Sequence, residues 1–199
     1  MPSSLPRADP TGIHPRTQRL PEPHVQRLAT FVDHMRREVP GEQIPDFDPE
    51  DGGVEAEILF LLKAPGSGAR KSGYVSRDNP DLNARNMAQV NAEAGIDRKR
   101  TVSWNVVPWV PATSDDRFLE VDAQRALPFL DELLSLLPRL TTVVLFGAFA
   151  RKFEARVRHA RRDVRLVTCP MPAPQVLNTR PEERGRIVRI LREAGGSAF

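Results

Sequence analysis

Four short apolar runs, separated by stretches of helical periodicity, constrain this chain more than any other feature. The segment 54–62 ends in Ile58-Leu59-Phe60-Leu61-Leu62, a continuous apolar run that suits a strand covered on both faces. Thr101-Val102-Ser103-Trp104-Asn105-Val106-Val107 reads as a second strand, stopped by Pro108. Segments 141–146 and 164–168 supply a third and a fourth. Helices are predicted over 23–39, where Val25, Leu28, Phe31, Val32 and Met35 recur at helical spacing, then over 81–94 and 118–137, after Gly147, and over 181–194. Pro40-Gly41 ends the first, Pro128 predicts a kink or restart in the third, and Pro181 lies near the first turn of the last. Alternating strands and helices predict a three-layer α/β/α sandwich around a mainly parallel four-stranded sheet. Ligand sites in such sheets lie beyond the carboxyl ends of the strands. The loops that matter are therefore 63–79, 108–116, the turn at Gly147, and 169–178.

A chain of 199 residues fits one domain. Residues 1–22, rich in Pro and Arg without apolar periodicity, read as a flexible leader with a docked end, and 23–199 as the single domain. The stretch 44–53 reads as an acidic loop. No apolar run approaches the ~20 residues that span a bilayer, and the first residues lack the apolar core of a secretory signal. The expectation is a cytoplasmic protein, a monomer, with no membrane partner.

Cys169 is the only cysteine, so a single chain builds no disulfide, thiolate zinc site or iron–sulfur cluster. The four histidines are scattered, so no metal and no cofactor is expected. The net charge of +3 is compatible with a polyanionic partner. Arg151, Lys152, Arg156, Arg158, Arg161, Arg162 and Arg165 either touch phosphates or form a solvated face, the commoner meaning of such a run. The turn Lys63-Ala64-Pro65-Gly66-Ser67-Gly68 lacks the Gly-Lys-Ser/Thr ending of a P-loop and the glycine spacing of a dinucleotide fold. By itself it is a tight turn.

Taken in order, several of these pieces resemble the uracil-DNA glycosylase superfamily. Leu61-Leu62-Lys63-Ala64-Pro65-Gly66 is similar to its first motif, a strand ending in a Pro-containing turn. Gly73-Tyr74-Val75 falls where that superfamily places an aromatic residue that stacks on uracil. Ser103-Trp104-Asn105-Val106-Val107-Pro108 resembles its strand ending in a uracil-reading asparagine. Val144-Leu145-Phe146-Gly147-Ala148 is similar to its third strand and Gly-Ala turn. Thr168-Cys169-Pro170-Met171-Pro172 is similar to its last, Pro-rich loop, which presses into DNA.

The resemblance implies an enzyme that flips uracil out of DNA, single- or double-stranded, and hydrolyses its N-glycosidic bond. Ala64, Pro65, Gly66, Tyr74 and Asn105 would bind the base, and Cys169, Pro170, Met171 and Pro172 would contact DNA. A Tyr74 ring would stack on the flipped base; the plain alternative is a surface aromatic. The Asn105 carboxamide would accept from uracil N3–H and donate to O4, a pattern cytosine reverses; the alternative is an asparagine capping a strand end. Apolar residues of the last loop would wedge into the duplex, or else pack on the C-terminal helix.

Two departures stand out. Histidine is frequent in the superfamily where Cys169 stands, and the first motif, Lys63-Ala64-Pro65-Gly66, carries no carboxylate to place the attacking water. Asp78, just beyond Tyr74, is the candidate for that role; Asp81 is the weaker one because it caps the next helix. The cysteines of the iron–sulfur branch are absent. A non-catalytic nucleic-acid-binding member, or an unrelated α/β hydrolase, are the other readings.

Overall fold

The computed structural model describes residues 14–112 and 115–196. A 3-10 turn, His14–Arg19, precedes helix α1 (Pro23–Glu38). There follow β1 (Asp46–Phe47), β2 (Ile58–Leu62), α2 (Ser67–Ser72), β3 (Tyr74–Val75), α3 (Leu82–Ala94), β4 (Thr101–Asn105) and α4 (Asp116–Ser135). The chain continues through β5 (Thr142–Phe146), α5 (Gly147–Arg151), α6 (Glu154–Ala160), β6 (Arg165–Cys169), α7 (Pro174–Thr179) and α8 (Glu182–Ala194).

The main sheet has the order β4-β2-β5-β6 and every neighbouring pair is parallel. Alternation along the strands splits the core into two layers. Leu59, Leu61, Val102, Trp104, Val143 and Leu145 face α1 and α4. Ile58, Phe60, Val144 and Phe146 face α3 and α8, meeting Met87, Val90, Ile187 and Leu191. Helix α4 continues through Pro128 as one element rather than restarting there.

The acidic stretch after α1 is more structured than its composition suggests. Asp46 and Phe47 pair in parallel with Tyr74 and Val75, forming a second, two-stranded sheet. The Phe47 ring stacks on Trp104 at 3.7 Å and 9°, which covers the outer strand β4. Of the expected leader, residues 14–22 dock on the domain: Arg16 is buried, and the Thr17 and Tyr74 hydroxyls share a 2.7 Å hydrogen bond. Residues 1–13 lie outside the described residues, as do 113–114 of the loop 108–116.

The chain leaves the central strand β2 for β4 on one side, then crosses back to β5 on the other. The carboxyl ends of β2, β4 and β5 therefore meet where the winding reverses, which is where parallel sheets open a crevice.

Candidate active site

Sheet register builds the floor of that crevice. Asn105 is paired with Leu62, and Phe146 follows the Leu61–Leu145 pair, so Asn105, Leu62 and Phe146 form one row at the carboxyl edge. Above them lies a cavity of about 520 Å³, lined also by Ala64, Pro65, Gly66, Val75, Asn79, Asp81, Phe149 and Met171. That size suits a small ligand such as a nucleobase with its sugar.

Two glycines shape the walls. Gly147, at φ +79°, turns β5 sharply into α5 in a conformation that side chains rarely adopt. At Gly68 a Cβ would meet Asp81 Oδ2 at 2.0 Å and Asn79 Cβ at 2.9 Å, so only glycine lets α2 close on the loop ahead of α3.

Asn105 is 3% exposed, and its Nδ2 has no hydrogen-bond partner. A buried amide nitrogen left bare costs about 1–3 kcal/mol, so on a cavity wall it calls for an acceptor, which water or a ligand can supply. Ala64, Pro65 and Gly66 join Asn105 on that wall, as does Met171.

Tyr74 and Asp78 do not. Tyr74 is buried at 4% exposure on the far side of β3, where its hydroxyl meets Thr17; its neighbour Val75 faces the cavity instead. Successive residues of an extended pair point to opposite sides, so Tyr74 does not line the cavity, and the aromatic residues on its wall are Phe146 and Phe149.

Asp78 belongs to an ionic knot beside the cavity. Its carboxylate accepts from Arg16 Nη2 at 2.5 Å and Arg98 Nη1 at 2.8 Å. Arg16 and Arg98 also bind Asp48, Arg98 binds Asp51, and Arg77 binds Asp51 at 2.9 Å. Burial pushes the Asp78 carboxyl up, but the two guanidinium groups outweigh it and hold it below the usual carboxylate range. Such a group stays ionised and occupied. It anchors the loop 76–79 and is not among the residues lining the cavity, unlike its neighbours Arg77 and Asn79.

Asp81 is the only carboxylate among the described wall residues. Its Oδ1 accepts from Ala84 N at 3.0 Å as the cap of α3, as expected, while the residue also lines the cavity. The sequence reading missed Arg77 and Asn79 as wall residues. Position within the predicted loop 63–79 was the sole available signal.

In the last loop Cys169 is buried beside Phe146, and burial pushes its thiol up to about 12. A thiol shifted in that direction stays protonated, and uncharged, near neutral pH. The Pro172 carbonyl accepts from Asn86 Nδ2 at 2.8 Å, which ties this loop to α3. Pro170 is half-buried. In the basic run, Arg156 pairs with Asp131, Arg158 with Glu154, and Arg161 with Asp163 and the Leu134, Leu137 and Leu140 carbonyls. These arginines mainly lace α6 to its surroundings. Among the described residues no cluster of three or more His, Cys, Asp or Glu is placed to hold a metal, and no helix is long and apolar enough to cross a membrane.

Fold and site together define a parallel-sheet α/β protein with a cavity of about 520 Å³ at its winding reversal. Comparison with known families agrees in kind: the profile of the Uracil DNA glycosylase superfamily matches residues 49–193. The chain belongs to that superfamily. Comparison with curated proteins gives no match. Among solved structures it is similar to the wild-type UNG of Nitratifractor salsuginis, with 12% identity and a TM-score of 0.42, over 94% of this chain and 98% of that one.

Proposed function

We propose that this protein excises uracil from DNA, hydrolysing the N-glycosidic bond of a nucleotide flipped into the cavity. Family membership supports glycosylase chemistry on DNA. The observation that carries the uracil reading is the bare, buried Nδ2 of Asn105. An amide N–H there donates to the O4 carbonyl of uracil, and it meets an amino group where cytosine replaces that oxygen. Water must be held opposite the departing base. Asp81 is the wall carboxylate for that task, with Oδ1 engaged in the helix cap and Oδ2 close against Gly68. The electron pair of the breaking bond leaves with the base, and preorganised donors on the wall stabilise the resulting anion.

The cap engagement of Asp81 also favours a second reading, a member that binds flipped bases without cutting them. A release assay on uracil-containing single- and double-stranded oligonucleotides separates the two. Free uracil and alkali-labile strands support excision; DNA binding with every strand intact after alkali supports the non-catalytic reading.

A further inference from the structure

Seven buried side-chain polar atoms among the described residues lack a partner, and three of them belong to cavity-wall residues. They are Asn105 Nδ2, Arg77 Nε and Asn79 Oδ1. Each residue is more than nine-tenths buried: 3%, 7% and 7% exposed. Two of the atoms are donors and one is an acceptor.

The Asn79 amide is oriented by its other end. Its Nδ2 donates to the Tyr74 carbonyl at 3.0 Å, which leaves Oδ1 as the free acceptor. Arg77 is fixed as firmly. Its Nη2 binds Asp51 and the Thr101 hydroxyl, and the guanidinium lies 5.9 Å from the Phe60 ring centre. Thr101, Ser103 and Asn105 share one face of β4, so the Arg77 side chain crosses the same sheet face that ends in Asn105. Three buried polar atoms left bare on residues of one cavity wall are unfavourable until water or a ligand supplies the opposite groups.

The matching ligand edge has two acceptors and one donor. An imide, –CO–NH–CO–, presents them as acceptor, donor, acceptor, and uracil carries this edge at O2, N3–H and O4. We propose that Asn79 and Arg77 complete the base-reading set: Asn79 Oδ1 accepts from N3–H, and Arg77 Nε donates to the carbonyl that Asn105 does not reach. The substrate class is then a base with an intact imide edge. Cytosine has its donor at the end of the edge rather than in the middle, so it leaves this set mispaired. The assignment rests on the uracil-excision reading and refines it. It also gives the departing anion a fixed cationic donor.

Two isomers of equal composition test it. 1-Methyluracil mimics the sugar attachment and keeps the imide edge; 3-methyluracil blocks the central N–H. Binding of each to the full-length wild type, Asn79→Ala, Asn79→Ser and Asn105→Ala is measured by ligand-observed NMR, with melting temperatures alongside. The wild type should prefer the 1-methyl isomer by about tenfold or more, the scale of a lost buried hydrogen bond. Asn79→Ala and Asn79→Ser should reduce that preference to within about threefold, whereas Asn105→Ala should weaken both isomers and keep it. A preference retained in the Asn79 variants, or lost in Asn105→Ala alone, overturns the assignment while excision stands. A wild type that binds neither isomer and releases no uracil overturns the excision reading itself.

Discussion

Replacing Asp78 by asparagine separates two ideas of what this carboxylate does. In the structure its work is holding Arg16 and Arg98, and its side chain is 32% exposed. An exposed ion pair is worth about 0–1 kcal/mol and breaking a fully buried one costs about 3–5 kcal/mol. The Asp78 contacts lie between, and the carboxamide keeps one acceptor, so Asp78→Asn should cost about 1–3 kcal/mol. For a protein of this size that is a melting-temperature drop of roughly 2–12 °C. The pH dependence has a definite sign. A depressed folded pKa contributes stability above the unfolded value, near 3.9, that is lost as pH falls through the folded one. The variant should therefore melt below the wild type at pH 7, and the gap should narrow under acid. Thermal melts by circular dichroism, paired with single-turnover excision rates, measure both sides. The rate should change by no more than a few-fold below the melting range. A loss of about 10² or more in rate with an unchanged melting temperature would refute the reasoning and return Asp78 to the chemistry.

Asp81→Asn keeps a good helix cap and removes the wall carboxylate, so the melting temperature should hold while the single-turnover rate falls by about 10²-fold; an unchanged rate would show that another group places the water. Cys169, with its thiol pushed up to about 12, should resist thiol reagents at pH 8 in the folded protein and react once denaturant is added. Prompt labelling of the native protein would contradict that burial. DNA affinity should fall steeply between low and moderate salt, because phosphate contacts release counterions, and a flat dependence would count against a DNA ligand.

The layers of this fold are legible because β2, β4 and β5 are buried on both faces, and such strands read as apolar runs whatever surrounds them. Asn105 is legible for the same reason, as a polar residue at the end of such a run. What fails is the loop between α2 and α3. There a single residue decides which side chain meets the cavity, and pairing of β3 with β1 turns Val75 inward and Tyr74 away. No local pattern announces that pairing, because β1 is two residues long and lies in an acidic stretch. The ionic surroundings of Asp78 are hidden for a related reason. Its partners Arg16 and Arg98 stand 62 and 20 positions away, and only the folded chain shows that they neutralise it. Arg77 and Asn79 are marked in the sequence only by their place in the loop 63–79. The role proposed for them comes from the atoms they leave unpaired.

The central claim is that Asn105 reads uracil for excision, and one comparison tests it most directly. Single-turnover release of free uracil from a uracil-containing oligonucleotide is measured for the wild type and for Asn105→Ala at matched DNA saturation. The account predicts release by the wild type and a loss of about 10² or more in Asn105→Ala, with melting temperature and DNA affinity little changed. Equal rates in the two proteins, or no release by the wild type at any enzyme concentration, would contradict it.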